Sequence, residues 1–132
     1  MDTAENLVEM IKENDRFARL VGIKIEETGK GYARVSLKVE DKHLNAVNIT
    51  HGGAVFSLAD LAFALASNSH NKVALALNMS INFVKATVEG SLLTATAKED
   101  NLTNRTGLYR IEVEDESGDK VALAEGLVYR KG

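Results

Sequence analysis

The stretch from Gly52 to Ala66 is apolar around its whole circumference, apart from Ser57 and Asp60. A helix that is apolar on every side belongs in a protein core, so the rest of the chain has to fold around this segment. Asp60 is out of place there, because an aspartate is rarely buried without a partner. Its carboxylate therefore has either a concealed partner or a wet cavity in which it performs chemistry.

The residues before this helix favour the cavity, since His51, Gly52 and Gly53 lead directly into the apolar segment. Glycines let another molecule approach the backbone, and the first N–H groups of a helix are free to donate where the dipole is positive. Such an end suits a carbonyl oxygen that is becoming an anion. Asp60 lies eight residues after Gly52, which is about 12 Å along a helix axis and about 80° around it. The two groups could share a site only along an extended cavity, or if a symmetry-related helix supplies one of them.

Composition narrows the classes of function. The 132 residues, 45% hydrophobic and 27% charged, are typical of one soluble globular domain spanning residues 1–132. No apolar run approaches the ~18 residues that a membrane span needs, and the first residues do not resemble a targeting segment, so we expect a cytoplasmic protein without a membrane role. The absence of cysteine excludes disulfides and Cys-ligated zinc, and a net charge of −3 without a basic block argues against nucleic acid as a partner.

Hydrophobic spacing predicts the order of the elements. An amphipathic helix is expected over roughly residues 3–20, and the apolar helix should end at about Ser67 or Asn68. Strands are predicted at about residues 23–27, 32–39, 73–88, 91–100, 107–114 and 120–129. Strands grouped in this way favour an antiparallel α+β domain whose sheet wraps around the apolar helix.

The residues from His51 to Asp60, in the pattern H-G-G-x6-D, resemble the helix motif of hotdog-fold acyl-CoA thioesterases of the PaaI-type, phenylacetic-acid branch. Asn45 and the segments 80–83, 92–97 and 106–109 resemble that family as well, so the likeness covers about residues 15–129. It implies a hotdog fold that hydrolyses acyl-CoA without a cofactor or metal. It also implies edge-to-edge homodimers, often paired into tetramers, with the active sites at the dimer interface.

The resemblance also implies roles for individual residues. Asp60 would be the catalytic carboxylate, either as general base towards water or as nucleophile, and the sequence leaves both open. The Gly52 N–H would polarise the thioester oxygen, while His51 and Asn45 would hold the loop and contact the thioester. Some relatives carry Ser or Thr near Ala76 to orient water, and this chain has alanine there.

Substrate contacts are expected at three places. Gly53 is expected to contact the substrate, and the acyl pocket is expected to include Phe56, Phe63 and Asn68. The segment Asn104, Arg105 and Thr106 is expected to lie near the nucleotide of coenzyme A. The candidate cations for its phosphates are Lys72, Lys85, Arg105 and Arg130.

Other interpretations of the same residues remain open. Asp60 could form a structural ion pair, and His51 could be only a helix-entry residue. His43 and His70 lack the spacing of metal ligands and are expected to face solvent, while Ser57 lacks a Gly-x-Ser-x-Gly context and is expected to bond within its helix. A hotdog hydroxyacyl-CoA dehydratase and a non-catalytic acyl-CoA sensor are the competing functions, and trapping the free thiol would separate them from a thioesterase.

Overall fold

A computed structural model describes residues 7–132 of the chain. Its elements, in chain order, are α1 (Leu7–Asn14), α2 (Arg16–Val21), β1 (Lys24–Gly29), β2 (Tyr32–Lys38), a short 3-10 turn (Asp41–His43), α3 (Gly52–Ser67), β3 (Ala74–Phe83), β4 (Leu92–Leu102), β5 (Thr106–Glu114) and β6 (Lys120–Arg130). Among these residues, no helix is both long enough and apolar enough to cross a membrane.

The strands form one six-stranded sheet in the order β1-β2-β4-β5-β6-β3, and every neighbouring pair is antiparallel. The sheet wraps around α3, whose Leu58, Ala59 and Ala62 are completely buried. This arrangement confirms the predicted α+β hotdog architecture, because an apolar helix loses its contact with water only when strands cover it on several sides.

The N-terminal segment differs from the prediction of one helix over residues 3–20. The helical path is interrupted at Asp15, which has extended backbone angles and begins α2 as its N-cap. Asp15 Oδ1 accepts the N–H of Ala18 at 2.9 Å, satisfying a donor that a continuous helix would have used internally. The single-helix prediction is therefore wrong within the described residues, and residues 3–6 lie outside them.

The predicted strand over residues 73–88 is shorter in the structure, since β3 ends at Phe83. Beyond it, the Val84 and Lys85 N–H groups both donate to the Val121 carbonyl, which ends the regular ladder. The Lys85 ammonium donates to Asp115 at 2.5 Å and to Asp119 at 2.8 Å. This pairing fastens the segment after β3 to the β5–β6 hairpin.

A β-bulge at Leu77 reverses which face of β3 meets the core. Ala76 pairs with Val128 and Asn78 with Leu127, so Leu77 is the extra residue. Before the bulge, Leu75 points outward and is 54% exposed, and Leu77 is 60% exposed. After it, Met79 and Ile81 pack against the core.

The two edges of the sheet differ in character. β1 is short and carries Lys24, Glu26 and Glu27, charges that usually protect an edge strand from further pairing. β3 has ten residues without a charge and, among the strands of residues 7–132, pairs only with β6. The free backbone edge of β3 therefore lacks the charges that usually prevent an edge strand from pairing with another strand.

Candidate active site

Asp60 has no hydrogen-bond or ion-pair partner among residues 7–132. Its side chain is exposed in the single protomer and lines a cavity of about 250 Å³, here called the Asp60 cavity. Phe17, Phe56 and Leu61 contribute apolar walls to that cavity. Desolvation by these walls, followed by the negative charge of Asp15, raises the pKa of Asp60 above its usual value.

The first turn of α3 leaves one backbone donor without an acceptor. The Gly53 N–H donates to Nδ1 of His51 at 2.7 Å, and the Ala54 and Val55 N–H groups donate to the His51 carbonyl. Of the N–H groups in this first turn, that of Gly52 alone has no acceptor in the described part of the chain. The expectation that Gly53 also offers a free N–H is therefore corrected: His51 occupies that donor as the N-cap of the helix.

Asn45 brings a second unused donor to the same place. Its Oδ1 accepts the N–H groups of Val47 at 3.0 Å and Ile49 at 3.3 Å, so the side-chain carbonyl is committed to the loop. Its Nδ2 amide has no acceptor within residues 7–132. Asn45, Gly52 and Phe83 line one cavity of about 400 Å³, here called the Gly52 cavity. Two donors thus face a space that could hold a carbonyl oxygen.

His43 holds this loop in place, contrary to the expectation that it faces solvent. It is 5% exposed, its Nδ1 accepts the Glu40 N–H at 2.9 Å, and its Nε2 therefore donates to the Val21 carbonyl at 2.6 Å. Its own carbonyl accepts the His51 N–H at 2.7 Å. His43 thus connects the end of α2 to the beginning of α3. The prediction for it is wrong because a lone histidine in a polar loop carries no periodic sign of burial.

His70 also differs from the prediction. It is half-buried, and its Nε2 lies 2.7 Å from Oε1 of Glu99, an oxygen that also accepts the Tyr109 hydroxyl at 2.6 Å. Ser57 donates to the Gly53 carbonyl at 2.7 Å, which confirms its expected role inside the helix. Within residues 7–132, no three His, Asp or Glu side chains group as a metal site would require.

The structure keeps Asp60 and Gly52 apart within one protomer. Among residues 7–132, the Asp60 cavity and the Gly52 cavity have no lining residue in common. They lie at different points along α3, since eight residues, or about 12 Å of helix axis, separate Gly52 from Asp60. A single protomer therefore presents a carboxylate and a pair of hydrogen-bond donors in separate places.

The three residues expected in the acyl pocket lie in different environments. Phe56 lines the Asp60 cavity. Phe63 is 1% exposed, and its ring lies 5.9 Å from that of Tyr109 in the core. Asn68 is buried, where its amide donates to the Ala64 carbonyl and its Oδ1 accepts the Ala74 N–H. Only Phe56 shares a cavity with Asp60.

Three of the four candidate cations gather around the turn between β4 and β5. The Lys72 ammonium donates to the carbonyl and Oδ1 of Asn104, and Arg130 Nη1 donates to the Thr103 carbonyl at 2.7 Å. Arg105 lies on the same turn, which Thr106 fastens through its contact with Thr103 Oγ1 at 2.8 Å. We call Lys72, Arg105 and Arg130 the basic cluster; none of them has a carboxylate within ion-pair distance in residues 7–132.

Lys85 does not belong to that cluster. Asp115 and Asp119 both bond to its ammonium and raise its pKa well above the usual range. The hydrogen bond from Lys85 is also the main reason why the pKa of Asp115 is lowered. Because two carboxylates already neutralise the Lys85 ammonium, it would attract a phosphate only weakly.

Sequence reasoning missed Asp15 as part of the site. It lines the Asp60 cavity, although it belongs to the start of α2. The available signal was the Asn14-Asp15 pair before an apolar segment, which is typical of a helix N-cap. What could not be seen is that the helix it caps packs against Asp60.

Comparison with known proteins gives consistent similarities. The family model described as "Thioesterase superfamily" matches residues 47–122. A putative esterase of Archaeoglobus fulgidus is 51% identical over 128 residues, covering 94% of this chain and 83% of that protein. The acyl-coenzyme A thioesterase PaaI of Escherichia coli K12 is 40% identical over 120 residues, covering 91% of this chain and 86% of that protein.

Solved structures give the same result. The structure of the Escherichia coli PaaI protein from the phenylacetic acid degradation operon superposes with a TM-score of 0.93 at 38% identity, covering 98% of this chain and 94% of that one. A hypothetical thioesterase of Streptococcus pneumoniae TIGR4, solved with coenzyme A, superposes with a TM-score of 0.86 at 25% identity, covering 92% and 97% of the two chains.

Proposed function

The chain belongs to the thioesterase superfamily as an acyl-CoA thioesterase of the hotdog type, and we propose that it hydrolyses aryl-acyl-CoA, such as phenylacetyl-CoA, with Asp60 as its catalytic carboxylate. The observation that carries this proposal is the Asp60 carboxylate, which lies on a core helix beside a cavity and has no partner within residues 7–132. A structural ion pair, the alternative from the sequence, would have placed a cation beside it.

The chemistry follows from the two groups of polar atoms. The thioester oxygen would accept hydrogen bonds from the Gly52 N–H and the Asn45 amide, both of which lack acceptors in the described chain. These donors stabilise the negative charge that develops on the oxygen when the acyl carbon is attacked. Asp60 would either take a proton from the attacking water or attack the carbon itself. His51 would keep the helix entrance rigid through its bond to the Gly53 N–H.

A shared site brings these groups together. The uncharged, unpaired edge of β3 supports a homodimer in which the two β3 strands pair antiparallel around a two-fold axis. Because Asp60 and Gly52 line separate cavities in one protomer, the Asp60 of one subunit would act with the Gly52 and Asn45 of the other. Pairs of such dimers would form the tetramer expected from the family.

The basic cluster would hold the phosphates of coenzyme A. Ala74, at the start of β3, pairs with Arg130, while Phe83, at its end, lies beside Gly52. Antiparallel pairing of two β3 strands would therefore bring the basic cluster of one subunit towards the Gly52 end of the other. Asn104, Arg105 and Thr106 would then contact the nucleotide, and Phe56 the acyl group.

The physiological setting is proposed from similarity alone. The Escherichia coli relative comes from a phenylacetic acid degradation operon, and its match covers almost the whole chain. We place this chain in the same process, the cytoplasmic breakdown of aromatic acids, with acyl-CoA as its small-molecule partner and no nucleic acid or membrane partner.

Replacing Asp60 with asparagine tests the assignment. The shape is kept while the charge and the basicity are lost, so kcat/KM for phenylacetyl-CoA should fall by at least about hundredfold. The measurement is thiol release from a panel of aryl and aliphatic acyl-CoAs, and Glu89→Gln, at an exposed position that lines neither cavity, is the control. Near-normal turnover by Asp60→Asn would rule out the role, whereas hydration products without free thiol would indicate a dehydratase and binding without turnover a sensor.

Mixing two inactive variants tests the shared site. Asp60→Asn lacks the carboxylate, and a double variant, Asn45→Ala with Gly52→Ala, lacks an amide and places a methyl beside the N–H. That methyl has room, because the nearest Phe83 atom would be 3.5 Å away. If each site needs both subunits, random mixing restores about one quarter of the wild-type sites, from the heterodimers. If each site lies within one chain, mixing restores none.

A phosphate-free substrate tests the basic cluster. Lys72→Ala and Arg130→Gln should raise KM for an acyl-CoA but leave KM for the corresponding acyl-pantetheine unchanged, because the latter has no phosphate to bind. Lys24→Ala, on the opposite edge of the sheet, is the control. Equal effects on both substrates would show that the cluster acts through the fold.

A further inference from the structure

Asp15 and Asp60 line the same cavity, although they belong to different elements. Asp15 Oδ1 accepts the Ala18 N–H at 2.9 Å, which fixes the first turn of α2. Phe17 and Ala18, the next residues of that helix, form part of the cavity wall. One carboxylate therefore anchors the helix that forms part of the Asp60 cavity and also brings a second negative charge to that cavity.

We propose that Asp15 is a positioning residue for the reaction: it holds α2 over the Asp60 cavity and, through its own charge, sets how readily Asp60 accepts a proton. This inference rests on the proposed function of Asp60. It adds to that function a residue outside the H-G-G-x6-D motif.

Among the described residues that line the cavity, Asp15 is the one charged residue besides Asp60. The other residues lining the cavity carry no titratable group; they are Phe17, Ala18, Ile23, Phe56, Ser57 and Leu61. The charged residues of α2, Arg16 and Arg19, are not part of the wall, and the Arg19 guanidinium donates to the Glu13 carbonyl. No cation lines the cavity in the described chain to offset the Asp15 carboxylate.

The effect on Asp60 has a direction. Desolvation is the larger cause of the raised pKa of Asp60, and the Asp15 charge is the second cause. A carboxylate with a higher pKa takes a proton from water more readily, provided that it remains ionised at the working pH. Asp15 would thus strengthen Asp60 as a base and move the loss of activity in acid to a higher pH.

Three substitutions separate the two roles of Asp15. Asp15→Asn keeps a good N-cap acceptor and removes the charge, whereas Asp15→Ala removes both. Glu89→Gln changes the net charge equally at an exposed position outside the cavity. The pH profile of kcat/KM for phenylacetyl-CoA is measured with dithiodipyridine, which detects thiols in acid. Carboxyl ¹³C NMR follows Asp60 directly, its signal being assigned by its loss in Asp60→Asn.

In Asp15→Asn, the acid limb of the pH profile and the titration of Asp60 should both move to lower pH than in the wild type. The difference between the two proteins should become smaller at high salt, which screens the Asp15 charge. Glu89→Gln should leave both unchanged. Asp15→Ala should in addition lower the unfolding midpoint and raise KM, because the cap is lost. If the acid limb of kcat/KM and the titration of Asp60 are the same in Asp15→Asn as in the wild type, the proposal is overturned. A titration that moves while Asp60→Asn keeps full turnover would support the link between the carboxylates and reject the proposed function instead.

Discussion

Gly126 on β6 faces the ring of Phe63 on α3, and adding a methyl there should destabilise the protein. A Cβ at this position would lie 2.5 Å from Cζ and 2.7 Å from Cε1 of Phe63, whereas carbon atoms normally approach to about 3.5–4.0 Å. The backbone cannot retreat, because Gly126 pairs with Tyr109 on one side and Met79 on the other. The ring cannot retreat either, because it is enclosed by the core and packs on Tyr109.

The magnitude follows from this overlap. Overpacking of a closed core costs about 1–3 kcal/mol, and Gly→Ala at an unstrained position returns about 0.5 kcal/mol of chain entropy. We therefore expect Gly126→Ala to lower the free energy of unfolding by about 0.5–2.5 kcal/mol. Phe63→Leu alone should cost about 1 kcal/mol. In the Phe63→Leu background the new methyl has room, so the overpacking cost should disappear and the two substitutions should be coupled by about 1–3 kcal/mol.

Urea unfolding of the four proteins, followed by circular dichroism at one protein concentration, measures this cycle. Gly29→Ala is the matched control, because its Cβ would have no atom closer than 4.0 Å, and it should change stability little. Strictly additive costs, or a Gly126→Ala protein as stable as the wild type, would show that the ring does not occupy the place described. The cycle also tests whether Phe63 is core or acyl pocket.

Two further predictions concern the hydrogen-bond partners of His43 and His70, the two histidines that were expected to face solvent. His43→Ala should lower the free energy of unfolding by about 1–3 kcal/mol, because it removes the acceptor of the Glu40 N–H and the donor to the Val21 carbonyl, two part-buried hydrogen bonds; a wild-type urea midpoint would contradict these bonds. Desolvation alone would raise the pKa of Glu99, but the bonds from Tyr109 and His70 outweigh it and lower that pKa. A lowered folded pKa gives stability that is present above the unfolded pKa and is lost as pH falls through the folded one. Glu99→Gln should therefore flatten the acid side of a stability–pH curve, with Glu89→Gln unchanged, and parallel curves would refute this.

The fold could be predicted because one segment left few alternatives. A helix that is apolar on every face has to be surrounded, and strands with alternating residues can do so while keeping one face in water. The break at Asp15 was not predicted, because the hydrophobic spacing continues through it and outweighs the weaker capping signal of the Asn14-Asp15 pair. The Leu77 bulge is also invisible in composition, since it depends on which strand lies opposite.

Site residues could be predicted from the sequence where a polar residue interrupts an apolar segment. Asp60 stands out in an apolar helix, and the distance from Gly52 to Asp60 already argued against one site in one chain. His43 could not be found in this way, because its burial depends on Val21 and Glu40 meeting it in space. Asn45 was identified through the family resemblance, but its free amide becomes visible only when its carbonyl is seen to be occupied.

The extra residue in β3 has a consequence for how this chain can vary. Leu75 before it and the extra residue Leu77 itself are exposed, whereas Met79 and Ile81 after it pack against the core. Many substitutions would preserve that division, but removing or adding one amino acid would exchange the two sides for half of the strand. Length in this segment is therefore constrained more tightly than sequence, and related chains should differ here by replacement and hardly ever by insertion or deletion.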